Sequence, residues 1–381
     1  MKLENFQQTN LGDLIYQSES SGLFILHEIA TINRFEKSQN FSPFFDCPVT
    51  VRSLKDCHFS NVNLIHTENE IFTNNGYHFE TPAIDISKFG IKSDVSIKAK
   101  EGFYNYPITS KPIKLDCGFY IGETDNFGHW IFEFLPKVLW YLRLFPKQDI
   151  PLFVGKNVPN RWVDLVIALG VDSDRIEKFE TGMTHRVGRL VVCSASVKRT
   201  KAGGAIRSED FMAIRYLIEK HYQHIDYHNS LECLFATRKN ALWRKIINED
   251  ELIYWLSKNF QTEIFRPETL GMSEQLKIIG RTKLFFGTGG ASPICMFQPK
   301  DSVFFEVRPP VGKAIVGRAW ADMFRFGHHY IKTEFAKNEN QTNPEGHKRD
   351  LVVNLETFKK EVCKVANNSK LFKRQFLMSS N

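Results

Sequence analysis

A strand-to-helix transition is predicted at Asn126-Phe127-Gly128-His129-Trp130-Ile131-Phe132-Glu133-Phe134-Leu135-Pro136. The segment is aromatic and compatible with a helix, yet it also holds Asn, His and Glu, which a purely structural helix would not need. In a helix that begins near Phe127, His129 and Glu133 are four residues apart and lie on one face. A carboxylate beside an imidazole raises the basicity of the ring and orients it, as a general base near neutral pH requires. The alternative is a core histidine whose polar group is satisfied by Glu133.

Strands alternate with helices on both sides of this segment. The predicted strands are Cys117–Ile121, Pro151–Val154, Ile176–Phe179, Arg189–Ser194, Leu231–Ala236, Thr262–Phe265, Lys283–Phe286 and Ser302–Val307. The predicted helices are Ile131–Leu144, Arg161–Leu169 with Gly170 as its C-cap, Ser208–His221, a helix capped by Asn248 and Glu251, Met272–Ile279 and Leu355–Val365. Such alternation is typical of parallel sheets flanked by helices.

Three regions are predicted along the 381 residues. Residues 1–110 contain short strands broken by Asn, Ser, Gly and Pro, and are expected to be β-rich. Residues 111–205 and 206–381 each contain one alternating series, so two facing Rossmann-like domains and a cleft are expected. The polar stretch 197–204 between the series is predicted to be a linker, or else a mobile loop.

Composition and charge restrict the class of protein. The hydrophobic fraction of 42% and the charged fraction of 24% are those of a globular protein. A net charge of +7 suits an anionic small molecule or an anionic membrane surface, and is too small to argue for nucleic acid. The seven dispersed cysteines, which form no C-x-x-C pair, indicate free thiols in a reducing compartment.

The predicted location is cytoplasmic. The first twenty residues or so lack the apolar core of a signal peptide, and no apolar run reaches about 18 residues. The basic run Lys370–Arg374 predicts peripheral contact with the inner membrane; the alternative is a solvated tail.

An anion-binding site is predicted in the second series. The turn Gly287–Ala291 follows a strand, and backbone N–H groups at such a turn bind phosphate. Arg238 and Arg244 follow the strand Leu231–Ala236, and guanidinium groups clamp diphosphates. Glu306 ends another strand and is expected to bind a ribose. The alternative for the glycines is a simple tight turn, and for the arginines a position on the surface. For Glu306 it is an ordinary salt bridge at the end of a strand.

The glycines of this turn match part of the G-x-G-x-x-G fingerprint of dinucleotide-binding domains. A complete match would indicate a nicotinamide-dependent oxidoreductase. Ser292 replaces its third glycine, and the following helix is too short for the usual unit of about 30 residues. No metal site is predicted. Asp172-Ser173-Asp174 follows a helix and is interpreted as a loop, and His328-His329 lacks further ligands at metal-binding spacing.

The combined motifs resemble glycosyltransferase family 61, which includes bacterial capsular polysaccharide transferases and eukaryotic xylosyl- and N-acetylglucosaminyltransferases. Its N-x-x-H-W-x-x-[DE]-x-L-P signature is matched from Asn126 to Pro136. The other matching blocks are Thr237-Arg238 with Arg244 and 248–251, Glu274-Gln275, and Gly287–Ala291 with Phe297-x-Pro299 and Glu306. Many members carry His where this chain has Gly289.

The resemblance implies an α/β, GT-B-like fold, with the acceptor side in residues 111–205 and the donor nucleotide in 206–381. It implies an inverting transferase without an essential metal or other cofactor, which uses a nucleotide-sugar donor, expected to be UDP-linked, and a surface polysaccharide acceptor. His129 would be the base oriented by Glu133, or the reverse, with Asn126 and Trp130 on the acceptor side. The implied donor-binding residues are Arg238, Arg244, Gln275, Gly287, Gly289, Gly290, Ala291 and Glu306. The departure at Gly289 leaves a non-catalytic glycan- or partner-binding relative as an alternative.

Overall fold

The computed structural model describes residues 13–17, 23–25, 49–61, 64–66, 71–73, 112–181, 183–200, 203–223, 230–288, 290, 292–310, 316–336, 349–369 and 371–372. The described residues form two compact units, the first ending at His221 and the second starting at Tyr222. Both units combine helices with a sheet that contains parallel strands, so the predicted α/β class is confirmed.

The first unit has one large mixed sheet and a smaller one. Its strands are β1 (Asp13–Gln17), β2 (Leu23–Ile25), β3 (Thr50–Asn61), β4 (Leu64–His66), β5 (Ile71–Thr73), β6 (Ile113–Gly122), β7 (Leu152–Gly155), β8 (Ile176–Phe179), β9 (His185–Cys193), β10 (Val197–Thr200) and β11 (Gly203–Arg207). Its α-helices are α1 (Leu135–Leu144), α2 (Asn160–Ala168) and α3 (Ser208–His221).

The strand order of the large sheet is β5-β4-β3-β9-β6-β7-β8, with β1 beside β3. Strands β9, β6, β7 and β8 are parallel to one another. The chain leaves β6 towards β7 on one side and later returns to β9 on the other, so the order reverses between β6 and β9. Ligands of such sheets bind beyond the carboxyl ends of the strands at this reversal. The His129 segment follows β6 and therefore begins at that place.

The N-terminal strands belong to the same sheet. Strand β3 runs antiparallel along β9, with Val51 opposite Cys193 and Phe59 opposite His185. The part of region 1–110 that the structure describes is therefore β-rich, as predicted, and is continuous with the first unit.

The predicted linker is wrong. Residues 197–200 and 203–207 form the antiparallel pair β10 and β11, and β2 pairs with β11. The two glycines at 203 and 204, which suggested flexibility, lie within a strand. The division between the units comes after His221, beyond the boundary predicted at residue 206.

Asp210 explains why α3 stays with the first unit. Its buried carboxylate accepts hydrogen bonds from Trp140 Nε1 (3.1 Å), Ser196 Oγ (2.6 Å) and Arg143 Nη1 (3.2 Å). Because a buried carboxylate needs such partners, these bonds fix α3 against α1 and the end of β9.

The second unit is a doubly wound sheet. Its strands are β12 (Leu231–Ala236), β13 (Thr262–Phe265), β14 (Thr282–Thr288), β15 (Val303–Arg308), β16 (Gly327–Phe335) and β17 (Leu351–Val353). Its α-helices are α4 (Glu249–Asn259), α5 (Met272–Gly280), α6 (Val316–Phe324) and α7 (Leu355–Asn368). The order is β13-β12-β14-β15-β16-β17, and all pairs are parallel except β16 with β17. The order reverses between β12 and β14.

Aromatic side chains fill the core of this unit, as the high phenylalanine content predicts. Phe286 and Phe305 stack with ring centroids 4.6 Å apart, and Phe358 of α7 packs on Phe286. Offset aromatic pairs of this kind add to the stability gained from burial alone. The stack holds β14 and β15 in register next to the reversal of strand order.

Two cap predictions have opposite outcomes. Gly170 has φ +108°, so its predicted place beyond the end of α2 is confirmed. The capping prediction for Asn248 is wrong, because its side chain does not cap α4. Instead Asn248 Nδ2 donates to Val353 O (2.8 Å) and Oδ1 accepts from Val353 N (3.1 Å).

No helix within the described ranges has both the length and the hydropathy needed to cross a membrane. The basic run predicted to contact a membrane lies mostly outside the described residues, which here include only Leu371 and Phe372.

Candidate functional site

The His129 segment is a helix with an irregular start. Asn126 caps the turn Phe127–His129, since its Oδ1 accepts from the N–H of Gly128 (2.8 Å) and of His129 (3.4 Å). A π-helical turn, Trp130–Phe134, follows and leads directly into α1. Wide turns of this kind inside helices are frequent at functional sites. Asn126 is exposed, so its structural role as a cap does not prevent contact with a ligand.

His129 and Glu133 form an ion-pair-like contact. His129 Nδ1 lies 2.9 Å from Glu133 Oε1, and the two side chains are 43% and 12% exposed. The predicted proximity is therefore confirmed. With Nδ1 engaged by the carboxylate, Nε2 is the ring nitrogen that can accept a proton from a bound hydroxyl.

Trp130 has a structural place instead of the predicted acceptor contact. Its side chain is fully buried, and its Nε1 donates to Trp162 O at 3.2 Å. The ring stacks between Trp162 and Phe134 at centroid distances of 6.3 and 6.0 Å. A buried indole with a satisfied N–H anchors the π-helical turn to α2.

Lys137 lies one helical turn beyond Glu133 and is fully buried. Its Nζ is 3.5 Å from Ile121 O on β6 and 5.2 Å from the centre of the Phe134 ring. Burial lowers the pKa of Lys137 to about 7, against the opposing influence of Cys193 and then Glu133. A buried lysine behind the His129–Glu133 pair was not singled out from the sequence, although its spacing of four from Glu133 was a usable signal.

Glu123 is a second residue that sequence analysis missed. It follows β6, is buried, and accepts a hydrogen bond from Thr181 Oγ1. A Cβ added at Gly155 would lie 2.3 Å from atoms of Glu123, so only glycine fits there. The carboxylate is thus held over the carboxyl end of β7, on the same edge of the sheet as the start of the His129 segment.

In the second unit, a turn after β12 carries Arg238. The buried carboxylate of Glu249, at the start of α4, accepts hydrogen bonds from Thr237 Oγ1 and from the Arg238 N–H (2.8 Å). This anchor fixes the backbone of Arg238 at the end of the strand. Glu249 was part of the quoted sequence motif, but its role as an anchor follows only from the structure.

Arg238 and Thr288 converge at Gly290. A Cβ added at Gly290 would lie 3.1 Å from Arg238 Nη1 and 3.9 Å from Thr288 Oγ1. Arg238 Nε and Thr288 Oγ1 are buried and have no hydrogen-bond partner among the described residues. Burial lowers the pKa of Arg238 to about 10, with Arg244 as the next contributor, so the guanidinium remains charged at neutral pH. Both groups are hydrogen-bond donors that an anion at this place would satisfy.

The side chains of Arg244 and Glu306 interact electrostatically. Arg244 has φ +57°, a left-handed conformation that is strained for arginine and is often found at functional sites. Burial lowers the pKa of Arg244, and the charge of Glu306 opposes that shift. Arg244 is therefore held near Glu306 in an unfavourable backbone conformation.

The carboxylate of Glu306 is enclosed. Its Oε2 lies 3.0 Å from His328 Nε2, and both side chains are 1% exposed. A Cβ added at Gly317, in the first turn of α6, would lie 2.7 Å from Glu306 Oε2 and 2.8 Å from His328 Nε2. The carboxylate oxygen Oε2 thus faces a histidine and a helix start, and the ribose contact stays a prediction.

Gln275 also has a structural place instead of the predicted donor contact. Its buried Nε2 donates to Pro267 O (2.8 Å) and Leu270 O (3.0 Å), which shapes the loop before α5. The amide nitrogen that would bind a donor is already satisfied by the backbone.

Residues 127–305 match the family model described as Glycosyltransferase 61. The match supports membership of glycosyltransferase family 61. It includes the His129–Glu133 pair, Arg238, Thr288 and Gly290, and it supports glycosyltransferase activity in general. A search of curated proteins finds no match to this chain.

The glycine-rich block of the family-61 resemblance is described only in part. Gly287 lies in β14 opposite Glu306, and Gly290 follows it in a turn. Gly289, the departure from the family pattern, and Ala291 lie outside the described residues. The next element is a 3-10 helix, Ser292–Phe297, instead of the α-helix that a dinucleotide fingerprint requires. This difference counts against the oxidoreductase alternative.

Within the described ranges, no cluster of residues could hold a metal ion. Asp172 precedes a 3-10 turn, Ser173–Arg175, so the Asp-Ser-Asp stretch is a loop with a short turn. His328 is engaged by Glu306, as described above.

Gly290 gives a direct test of the candidate anion site. Replacement by alanine is expected to weaken binding of uridine diphosphate at least about tenfold, because the new methyl group would occupy the space beside Arg238 and Thr288. Calorimetric titration of wild type and Gly290→Ala measures the difference. The matched control is Gly271→Ala, because its φ is −65° and an added Cβ would make only an ordinary contact with Glu274 at 3.5 Å. Equal affinity in wild type and Gly290→Ala would remove Gly290 from the site.

Proposed function

We propose that this chain is an inverting glycosyltransferase that moves a sugar from a nucleotide-diphosphate donor, UDP-linked, to an acceptor hydroxyl without a metal ion. Support comes chiefly from the two unpartnered buried groups, Arg238 Nε and Thr288 Oγ1, beside Gly290. Arg238 follows β12 and Thr288 is the last residue of β14, where the strand order of the second unit reverses and ligands of doubly wound sheets bind. A diphosphate offers the acceptor oxygens that these groups lack.

The proposed chemistry is a direct displacement. The acceptor oxygen bonds to the anomeric carbon as the bond from that carbon to the diphosphate oxygen breaks, and the diphosphate leaves with the electron pair. The acceptor proton passes to His129 Nε2, while Glu133 stabilises the imidazolium. Arg238 and Arg244 stabilise the leaving diphosphate. The reverse division, with Glu133 as base, stays open in this proposal.

The first unit would supply the base and the acceptor site, and the second would bind the donor. The GT-B arrangement and an acceptor that is a growing capsular or related surface polysaccharide rest on the family resemblance and form part of the proposal. The cytoplasmic location, which rests on the dispersed cysteines, and peripheral membrane contact, which rests on the basic run Lys370–Arg374, are also part of it.

Arg238 provides the test of donor binding. Arg238→Gln is expected to weaken uridine diphosphate binding about 30-fold or more, since glutamine offers no positive charge to the phosphate. Lys239→Gln is the matched control: it removes the same charge from the neighbouring residue, whose half-exposed ammonium already pairs with Asp250. Calorimetry without added metal measures both.

Two results would contradict the proposal. The first is absence of binding by uridine, guanosine and cytidine diphosphates, with or without manganese. The second is an equal loss in the Arg238 and Lys239 variants, which would show a general charge effect. A screen of uridine, guanosine and cytidine sugar donors for transfer or hydrolysis then separates a transferase from a non-catalytic relative.

A further inference from the structure

Glu249 is the first residue of α4 and is only 2% exposed, although its side chain carries a carboxylate. Each carboxylate oxygen accepts one hydrogen bond from the turn that follows β12: Oε1 from Thr237 Oγ1, and Oε2 from the Arg238 N–H at 2.8 Å. A buried carboxylate is costly unless it is paired in this way, and the start of a helix further favours its negative charge. Glu249 thus holds two consecutive residues of the turn.

The turn after β12 has further contacts that hold Arg238. The Ala241 N–H donates to Arg238 O at 3.0 Å, which closes the turn, and Arg238 Nη2 donates to Trp243 O. The Lys239 N–H donates to Thr237 Oγ1 at 3.3 Å, so the same hydroxyl also binds the residue after Arg238. The backbone of Arg238 and one nitrogen of its guanidinium are therefore fixed.

The other two guanidinium nitrogens of Arg238 are left for the proposed anion site. A Cβ added at Gly290 would lie 3.1 Å from Nη1, and Nε is buried without a hydrogen-bond partner among the described residues. A mobile arginine loses rotamer freedom when it binds an anion, and that loss lowers the affinity. An arginine that is already held in place loses less. The contacts that hold Arg238 are therefore expected to contribute to affinity without touching the ligand.

We propose that Glu249 is a positioning residue for the donor: through its bonds to Thr237 and Arg238 it presents the Arg238 guanidinium to the diphosphate. This inference rests on the proposed function, because it takes Arg238 as a ligand of the diphosphate. Binding sites depend on such supporting contacts, since a ligand-binding side chain must be held close to its productive geometry. Glu249 lies in a block that resembles family 61, but its contacts, and not the motif, carry the assignment.

Two substitutions of Glu249 test the assignment by calorimetric titration with uridine diphosphate without added metal. Glutamine has the same shape but only one acceptor oxygen and no charge, so Glu249→Gln is expected to raise the dissociation constant about threefold. Glu249→Ala removes both hydrogen bonds, and we expect a rise of about tenfold or more. Circular dichroism establishes that each variant is folded, and Glu249→Gln decides if the alanine variant does not fold.

The matched control is Asp250→Asn, which removes the same charge from the next residue of α4. The Asp250 side chain is 78% exposed and pairs with Lys239 on the surface. Surface ion pairs contribute little, so the dissociation constant of this variant should stay within about twofold of wild type.

A double-mutant cycle with Arg238→Gln separates positioning from a general effect on the fold. If Glu249 acts through the Arg238 guanidinium, Glu249→Ala should change the dissociation constant at least about threefold less in the Arg238→Gln background than in wild type. A merely structural role would give equal factors in both backgrounds. Equal factors, or Glu249 variants that bind as tightly as Asp250→Asn, would overturn the Glu249 proposal alone. Absence of binding by wild type would instead contradict the proposed function, and the Glu249 proposal would fail with it.

Discussion

Replacement of His129 by alanine is expected to lower kcat about 10²–10⁴-fold, the usual contribution of a positioned general base. The imidazole is near the surface, and its Nδ1 is held at 2.9 Å from Glu133, so Nε2 is the proton acceptor. In the proposed reaction, its loss removes the group that takes the acceptor proton, while the proposed donor-binding groups of the second unit remain. KM for the nucleotide sugar should therefore change little. Steady-state kinetics with the donor found in the screen measure both quantities.

The control for this experiment is His221→Ala, which removes an exposed histidine at the end of α3. Glu133→Gln completes the set: a smaller loss than in His129→Ala identifies His129 as the base, and a larger one identifies Glu133. Unchanged kcat in both variants would exclude the pair from the reaction and favour a non-catalytic role for the segment.

Lys137→Met is expected to have the largest effect on stability, and the effect should depend on pH. The fall in the pKa of Lys137 from 10.5 to about 7 corresponds to roughly 5 kcal/mol, at about 1.4 kcal/mol per unit. Between these two values the unfolded chain holds a proton that the folded protein has released, so the free energy of unfolding of wild type rises with pH in this window. Below pH 7 both states are protonated, and the full penalty of the buried charge remains.

In the Lys137→Met variant, this contribution to the pH dependence of the free energy of unfolding is absent. The variant should be more stable than wild type by several kcal/mol at pH 6, and the difference should shrink steadily towards pH 10. Urea unfolding from pH 6 to 10 measures it, with Lys147→Met, an exposed lysine just beyond α1, as the control expected to follow wild type. A difference that does not vary with pH would show that Lys137 is not the titrating group.

The sequence alone correctly predicts those features that depend on neighbouring residues in the chain. The bounds of β12 and β13 agree with the predicted strands, and the spacing of His129 and Glu133 predicts their contact. Arg238 and Gly290 were expected to meet because parallel strands end at a common edge, and they do. Each of these follows from periodicity or from topology alone.

The sequence did not show the structural partners of side chains that bond to distant residues. Trp130 and Gln275 belong to family-like motifs, yet their polar atoms bond to Trp162 and to the 267–270 backbone. Glu306 meets His328, a residue of a strand that sequence analysis did not predict. No local pattern distinguishes a polar side chain that binds a ligand from one that binds its own backbone.

The turn that carries Arg238 and Arg244 has a consequence for the order of folding. Lys245 N–H donates to Asp350 Oδ1, and Asn248 bonds to Val353, each across 105 positions of sequence. Loop closure over such separations is slow, and a chain emerging from the ribosome cannot make these contacts until β17 has been synthesised. The sheet strands β12 to β15 can pair earlier. The turn with Arg238 and Arg244, and with it the proposed donor site, should therefore be among the last parts of a nascent chain to form.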